Sequence, residues 1–468
     1  MSLDALVATE VADHAGPGPV PPSAGRPPAF ELAAFRPVAS RSVASQPVRP
    51  GRTASWHVLS QARFRGYFIG SLISNLGTWL QNTAQMLLAY QLTHSALAVG
   101  AVTCAQFSGA VLLAPWAATL ADRLNGRRLL IGTQLLSAAI AGALAVLTFG
   151  GVLTERALIF GALGLGLAFA FALPLQTSMV PTLVPEADTK AAMAMNSVSY
   201  NAGRAVAPVL CVLVGTVVGL GWAFTLNAAS FVVFAATLLV VRPDRAERPA
   251  QRQRAVSGIR IAVRRPRIML LLAMVAAVTL VEDPVLVLGP SLARQMHMLA
   301  SVWPGYFLSA LGVGTVLGAC LPARRLASSE RAASERAAWS LLMLALCMIV
   351  FVWGFSAWVS AAAAAGAGVA GLLTGSAAQS LLLRIAGPGM AVKVMALWAI
   401  AWAGSKPIAS LTDGWLASTV GIRPAGIMLA APALTIALLE LLLPSPIKAR
   451  LKEQLRMHTR TRPAIQPQ

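Results

Sequence analysis

The sequence predicts an all-α membrane protein, with twelve transmembrane helices in two six-helix bundles and both termini in the cytoplasm. Three observations carry that expectation. Of 468 residues, 57% are hydrophobic and only 12% are charged, against about 25% charged in an average soluble domain. Mean hydropathy is +0.69. Exposed apolar surface on that scale is not tolerated in water, so lipid has to serve as part of the solvent. Apolar runs also recur twelve times at the length, about 20 residues, that crosses a hydrocarbon core of about 30 Å. Basic residues, finally, alternate between poor and rich from one loop to the next.

In chain order, residues 1–62 are rich in Pro, Ala, Ser and Arg without a sustained apolar run. They cannot bury enough surface to offset chain entropy and are expected to be a disordered cytoplasmic tail. No cleavable signal-peptide core is present, and the acids Asp4, Glu10, Asp13 and Glu31 speak against a transit peptide. The first span is therefore the expected insertion signal. The N-terminal bundle (63–241) contains runs at 67–90, 96–121, 129–152, 157–180, 191–218 and 221–241. A basic cytoplasmic linker (242–267) follows. The C-terminal bundle (268–443) contains runs at 268–289, 303–322, 338–355, 358–383, 394–416 and 421–443, and a basic tail (444–468) closes the chain. Gly and Pro within the runs are tolerated by spanning helices. The spacings Gly314/Gly318 and Gly371/Gly375 suit close helix packing.

Topology follows from the distribution of Lys and Arg. With the N-terminus inside, the cytoplasmic segments hold 32 of the 37 basic residues; the outer loops hold Arg156, Arg294 and Arg423, and Arg204 and Lys406 fall within spans. One miscounted helix would invert the alternation and spoil that asymmetry. The net charge of +20 therefore belongs to membrane topology rather than to a nucleic-acid surface. In the linker, Ile259 and Val263 beside Arg260, Arg264 and Arg265 suit either an amphipathic helix on acidic lipid or a solvated basic connector. Cys104, Cys211, Cys320 and Cys347 lie in apolar runs without CxxC spacing or nearby His, as buried small hydrophobes would.

Two sets of six helices about a central basic loop is the layout of transporters built from repeated halves. The fifth run carries Gly203-Arg204 then Pro208, and the eleventh carries Gly404-Ser405-Lys406-Pro407, a cation near a proline at corresponding depth. Intramembrane ionisable residues cost at least about 2.5–3.5 kcal/mol each on insertion scales and are functional candidates by default. Glu282 and Asp283 lie deep in the seventh run, just before Pro284. Together with Arg204 and Lys406 they stand near mid-membrane, about 20 Å from the inner surface at 1.5 Å per residue. Successive residues point about 100° apart on a helix, so the two acids cannot face one cavity squarely. One of them carrying a proton, with Lys406 as partner, is the coupling hypothesis. A static ion pair pinning two helices, or acids wetted by an outer vestibule, is the alternative. Arg204 either binds an anionic group of the cargo or locks the fifth helix to its neighbours. Gln81, Gln106, Asn201 and Trp398 line a polar cavity or join helices by hydrogen bonds.

The turn after the second run reads Asp122-Arg123-Leu124-Asn125-Gly126-Arg127-Arg128. It resembles the signature loop of the major facilitator superfamily, with Asn125 and Gly126 where the family has Gly followed by Arg, and Ala118 for a Gly. In that loop the Asp engages the positive end of a neighbouring helix, and Arg123, Arg127 and Arg128 anchor to head groups or partner acids. Further motifs recur in order: Phe64-Arg65 to Gly70 and Asn75-Leu76-Gly77-Thr78-Trp79, Val184-Pro185-Glu186, Asn196-Ser197, Asn201-xx-Arg204-xxx-Pro208, Gly221-Trp222-Ala223-Phe224-xx-Asn227 and Val394-Met395-Ala396-Leu397-Trp398. Together they resemble the enterobactin-exporter-like branch of bacterial efflux permeases. Gly203-xxx-Ala207-Pro208 is similar to the fifth-helix signature of proton antiporters, with Ala for the second Gly. The resemblance implies a central cavity and secondary export of a drug-like or siderophore-like molecule by alternating access, with protons as coupling ion. A non-transporting scaffold or sensor on the same fold is the competing expectation. No GxxxxGK[ST], HExxH or GxSxG motif is present, so ATP-driven transport and those hydrolase chemistries have no support. No cofactor, metal, nucleic-acid partner or obligatory oligomer is called for, and the expectation is that the chain is not an enzyme.

Overall fold

The computed structural model describes residues 55–123, 125–241, 265–321, 330–386 and 390–442, with backbone alone at 55, 110, 114–123 and 391–393. Among them are twelve helices of 18 residues or more and no strand. They are α1 (Ala62–Thr93), α2 (Ala96–Arg123), α3 (Gly126–Phe149), α4 (Glu155–Met179), α5 (Thr189–Val217) and α6 (Gly221–Val240), then α7 (Pro266–Val287), α8 (Trp303–Cys320), α9 (Glu330–Trp353), α10 (Ala357–Ala386), α11 (Ala391–Val420) and α12 (Ile422–Leu442). Each of the twelve runs thus becomes one helix. Eleven of them are long and apolar enough to cross a membrane, and α1 is the exception. Its 32 residues include Asn75, Gln81, Asn82 and Gln85, which lower its hydropathy because the helix turns a polar face inward; Ser71, Ser74, Gln81, Thr83 and Gln85 are all buried. The opposite pattern marks the outside of the molecule, where Val146, Phe160, Val217, Val240 and Trp358 are exposed as lipid-facing side chains would be.

Local chemistry sets the ends. Thr154 caps α4 by accepting from the Ala157 amide, and Asn125 caps α3 by accepting from the Arg127 and Arg128 amides. Helix α9 begins eight residues before its apolar run, at Glu330 rather than 338. The extra turns carry charge that pays its way locally: Arg331 pairs with Glu335 at 2.8 Å, and Glu330 with Arg267 of α7 at 3.1 Å. A short helix, Gly289–Gln295, joins α7 to α8. Residues 1–54 of the expected tail, most of the linker (242–264) and residues 443–468 lie outside the described residues. Ser55–Ser60 form a 3-10 helix, so order begins before residue 62; His57 and Gln61 both hold the Asp188 carboxylate ahead of α5, at 2.8 and 2.7 Å. Of the cysteines, Cys211 is buried, Cys104 and Cys347 are half-buried, and Cys320 is exposed at the end of α8. The expectation of four buried cysteines is therefore corrected: Cys320 is the last residue of its helix, beyond the packed surface.

Helix pairing repeats with a period of six helices. In the first half α2 packs on α4, α3 on α6, and α1 on α5 and α6; in the second α8 packs on α10, α9 on α12, and α7 on α11 and α12. The halves join along two seams that the same repeat relates, α2 with α11 and α5 with α8. Both seams close where α2 and α8 begin, the end of the bundle away from the termini. There Gly100 abuts the Ser410 carbonyl, Gly414 the backbone of Ala96 and Leu97, Gly305 the Pro208 carbonyl, and Gly312 the backbone of Arg204 and Ala205. Backbones approach this closely only where no Cβ intervenes. Of the spaced glycines, Gly314 and Gly318 pack against Ala365 and Val369 of α10, Gly371 faces the Glu282 side chain, and Gly375 meets open space.

Candidate functional site

The four intramembrane charges come together where the halves meet. Pro284 stands inside α7, directly after Glu282 and Asp283, and the two acids diverge as their spacing requires. Glu282 turns to the first half: its Oε2 accepts from Nη2 of Arg204 on α5 at 2.8 Å. Asp283 turns within its own half, its Oδ1 3.7 Å from Nζ of Lys406 on α11. That is an ion pair beyond hydrogen-bond length, and Oδ2 of Asp283 has no partner. Lys406 also lies 4.8 Å from the Phe107 ring centroid of α2 and 5.7 Å from that of Trp402, contacts in the cation–π range. Each half's cation near its helix proline therefore meets one of two adjacent carboxylates. Of these two pairs, Arg204–Glu282 crosses between halves. Both of its side chains keep a little exposure, 18% and 17%, because they line a small pocket with Trp79, Pro208, Asp283, Leu286 and Lys406, so the two acids border one pocket although they pair in different directions.

Trp79 is shared with a second, larger cavity inside the first half. Its walls are amides and aromatics: Asn75, Gln81, Asn82, Gln106, Gln134 and Asn227, with Phe107, Phe169, Tyr200 and Phe231. Gln106 donates to Asn82 at 2.6 Å and Asn227 to Gln81 at 2.6 Å, while Asn75 donates to Ser199 at 3.0 Å. Gln81 Nε2 and Gln134 Oε1 remain buried without a hydrogen-bond partner. Unspent donors and acceptors beside aromatic faces suit a small molecule with polar edges. Gln81 and Gln106 thus line the cavity and also join helices. Asn201 does neither, donating to the Ser197 carbonyl of its own helix at 2.8 Å. Trp398 stacks on Trp402 at 6.3 Å away from that cavity.

In the antiporter-like segment, Gly203 lets α5 approach the Asn75 carbonyl and Trp79 of α1. Ala207 is buried, and Pro208 sits at the seam with α8. Pro208 interrupts the helix ladder, and the Val209 amide donates to Oγ of Ser309 on α8 at 3.1 Å. In the signature loop Asp122 and Arg123 occupy the last turn of α2, their side chains outside the described residues. Arg127 donates through Nε and Nη2 to the Leu238 and Leu239 carbonyls, at 2.6 Å for Nε. It therefore caps the negative end of α6, while Arg128 is exposed. One residue escapes the sequence reading: Asp413 of α11 is fully buried, and neither carboxylate oxygen has a partner. Its signal in the sequence is its spacing, seven residues after Lys406 and so on the same helix face.

The chain matches the family described as transmembrane secretion effector over residues 53–464. Among solved structures it is similar to a mutant of the nucleoside transporter NupG (TM-score 0.68, 12% identity, 81% of this chain and 99% of that one). It is also similar to a bacterial homologue of the human lysosomal transporter Spinster (TM-score 0.65, 13% identity, 86% and 98%). A third is the POT family transporter PepTSo (TM-score 0.65, 12% identity, 84% and 99%). At these identities the likeness is one of fold. No curated protein sequence matches the chain.

Proposed function

The chain belongs to the transmembrane secretion effector family, within the major facilitator superfamily of membrane transporters, and we propose that it exports a small organic molecule, drug-like or siderophore-like, in exchange for protons. The observation that carries this is the pairing of four intramembrane charges beside an amide-and-aromatic cavity. The basic-residue asymmetry supports a place in the bacterial inner membrane with both termini cytoplasmic. In that orientation the tight seams lie at the outer end of the bundle.

The coupling device is Glu282, held by Arg204 across the interface, with Asp283 and Lys406 as its neighbours. When the halves rock, Arg204 and Glu282 must separate. A proton on Glu282 removes one charge of the pair, so separation no longer strands a carboxylate in low dielectric. Cargo in the cavity and a proton on the acid then favour opposite conformations, which is exchange. Inverted vesicles test the reading, with ethidium and a catecholate siderophore as probes. Probe-dependent collapse of an imposed pH gradient is expected, and a silent scaffold would give none. Glu282→Gln and Asp283→Asn, made separately, are expected to lose gradient-driven transport in at least one case. If both keep it with unchanged pH dependence, the coupling assignment is wrong.

A further inference from the structure

Asp413 takes no part in the ion pairs just described. Lys406, Ser410 and Asp413 follow one another along one face of α11, and Ser410 and Asp413 are fully buried. The residues around Asp413 are those pressed hardest against α2: Gly100 meets the Ser410 carbonyl, and Gly414 meets Ala96 and Leu97. Asp413 therefore sits at the closed end of the α2–α11 seam, with both carboxylate oxygens unpartnered. Among the described side chains its charged neighbours are few. On its own helix Lys406 stands about 10 Å away along the axis, seven residues at 1.5 Å each, and is engaged by Asp283. From α7 come Glu282 and Asp283, and from the described side chains of α2 only the Cys104 thiol. Helices α10 and α12 bring charge only near their ends, at Arg384, Arg423 and Glu440.

A carboxylate shut away from water with no donor is strongly disfavoured, whereas the neutral acid is disfavoured far less. Water entering an opened seam removes that difference. We infer that Asp413 is a proton site of the outer seam, protonated when α2 closes on α11 and free to ionise when the seam opens. The step is balanced as one carboxylate gaining one proton from the water outside. This goes beyond the coupling assigned to Glu282 and Asp283 and rests on the proposed reading only for which side is outer. Asp283, which shares Lys406 as electrostatic neighbour with Asp413 and lines the charged pocket, is the next acceptor toward the cytoplasm.

Spin labels on L92C and V420C report the seam, in full-length protein whose four native cysteines are replaced by alanine and which is reconstituted in liposomes. Raising pH from mildly acidic to mildly alkaline is expected to lengthen the label distance. Asp413→Asn is expected to hold the short distance throughout, and to keep downhill probe exchange while losing acceleration by a pH gradient. A distance indifferent to pH in the otherwise native chain overturns the inference, as does an unchanged pH response in Asp413→Asn. Should Asp413→Asn fail to fold, Asp413→Glu takes its place, with a shifted midpoint as the expected result and an unshifted one as the refutation. A seam that titrates in a protein without gradient coupling would sink the exchange proposal and leave this one standing. Gradient coupling with a seam blind to pH would do the reverse.

Discussion

Arg204 and Glu282 hold the two halves together through one short hydrogen-bonded pair, and breaking it from one side should be costly. Removing one partner of a buried pair typically destabilises by about 3–5 kcal/mol, whereas replacing both with apolar groups is often near neutral. Arg204→Met alone should therefore lower the thermal midpoint in detergent, and Arg204→Met with Glu282→Met should recover most of the loss while gradient-driven transport stays absent. Recovery of transport in the double variant would show the pair to be a mere fastener. Gly371 makes a subtler test, because a Cβ there would overlap the Glu282 carboxylate. Gly371→Ala should impair transport with little change in folding, and Gly375→Ala, facing open space, should do neither. The four ion-pair charges were legible in the sequence because ionisable residues are rare in apolar runs. Lys406 was expected to meet one of the two acids, but which acid it meets, and that Arg204 takes the other, depends on which helices lie side by side. Asp413 lay further from view, near the end of its run, where an acid reads as the helix leaving the membrane.

At the scale of the helix, apolar runs placed twelve elements to within a few residues in most cases, because burial in lipid and backbone hydrogen bonding select the same segments. The misplacement of α9 has the same physics in reverse. Its first turns are charged and are stabilised by Arg331–Glu335 and Arg267–Glu330, which hydropathy does not register. The signature loop shows a further limit. Its departures from the family pattern become intelligible only with Asn125 seen as the cap of α3 and Arg127 as the cap of α6. Asn125→Ala should cost about 1 kcal/mol, the usual worth of an N-cap. Arg127→Ala should cost more, about 1.5–3 kcal/mol, since its bonds are charge-assisted. Thermal unfolding in detergent measures both, and equal, negligible effects would contradict the capping roles.

For the whole molecule, the six-helix period in packing gives the faint match between Gly203-Arg204 and Gly404-Ser405-Lys406 a structural counterpart. Each cation sits in the fifth helix of its half and meets an acid of α7. The repeat also relates the two seams, so a rocking motion that opens one must open the other. The orientation proposed above predicts labelling by a membrane-impermeant maleimide in chains lacking native cysteines. Ser45→Cys and Thr459→Cys should react only in inverted vesicles, and Val152→Cys only in intact cells. Reaction of the two tail positions from opposite sides would break the even count of spans.

The polar face of α1 bears on how the chain is made. The first of the twelve helices is also the one least able to enter the membrane alone, since Asn75, Gln81, Asn82 and Gln85 serve the finished cavity and burden insertion. Its partners for those groups, Ser199 and Asn227 among them, are synthesised more than a hundred residues later. Biogenesis must then carry α1 through an interval with its amides unsatisfied, either paired with α2 as a hairpin or sheltered by the insertion machinery until α5 and α6 arrive. Cargo recognition by α1 is thereby set against the ease of its own birth.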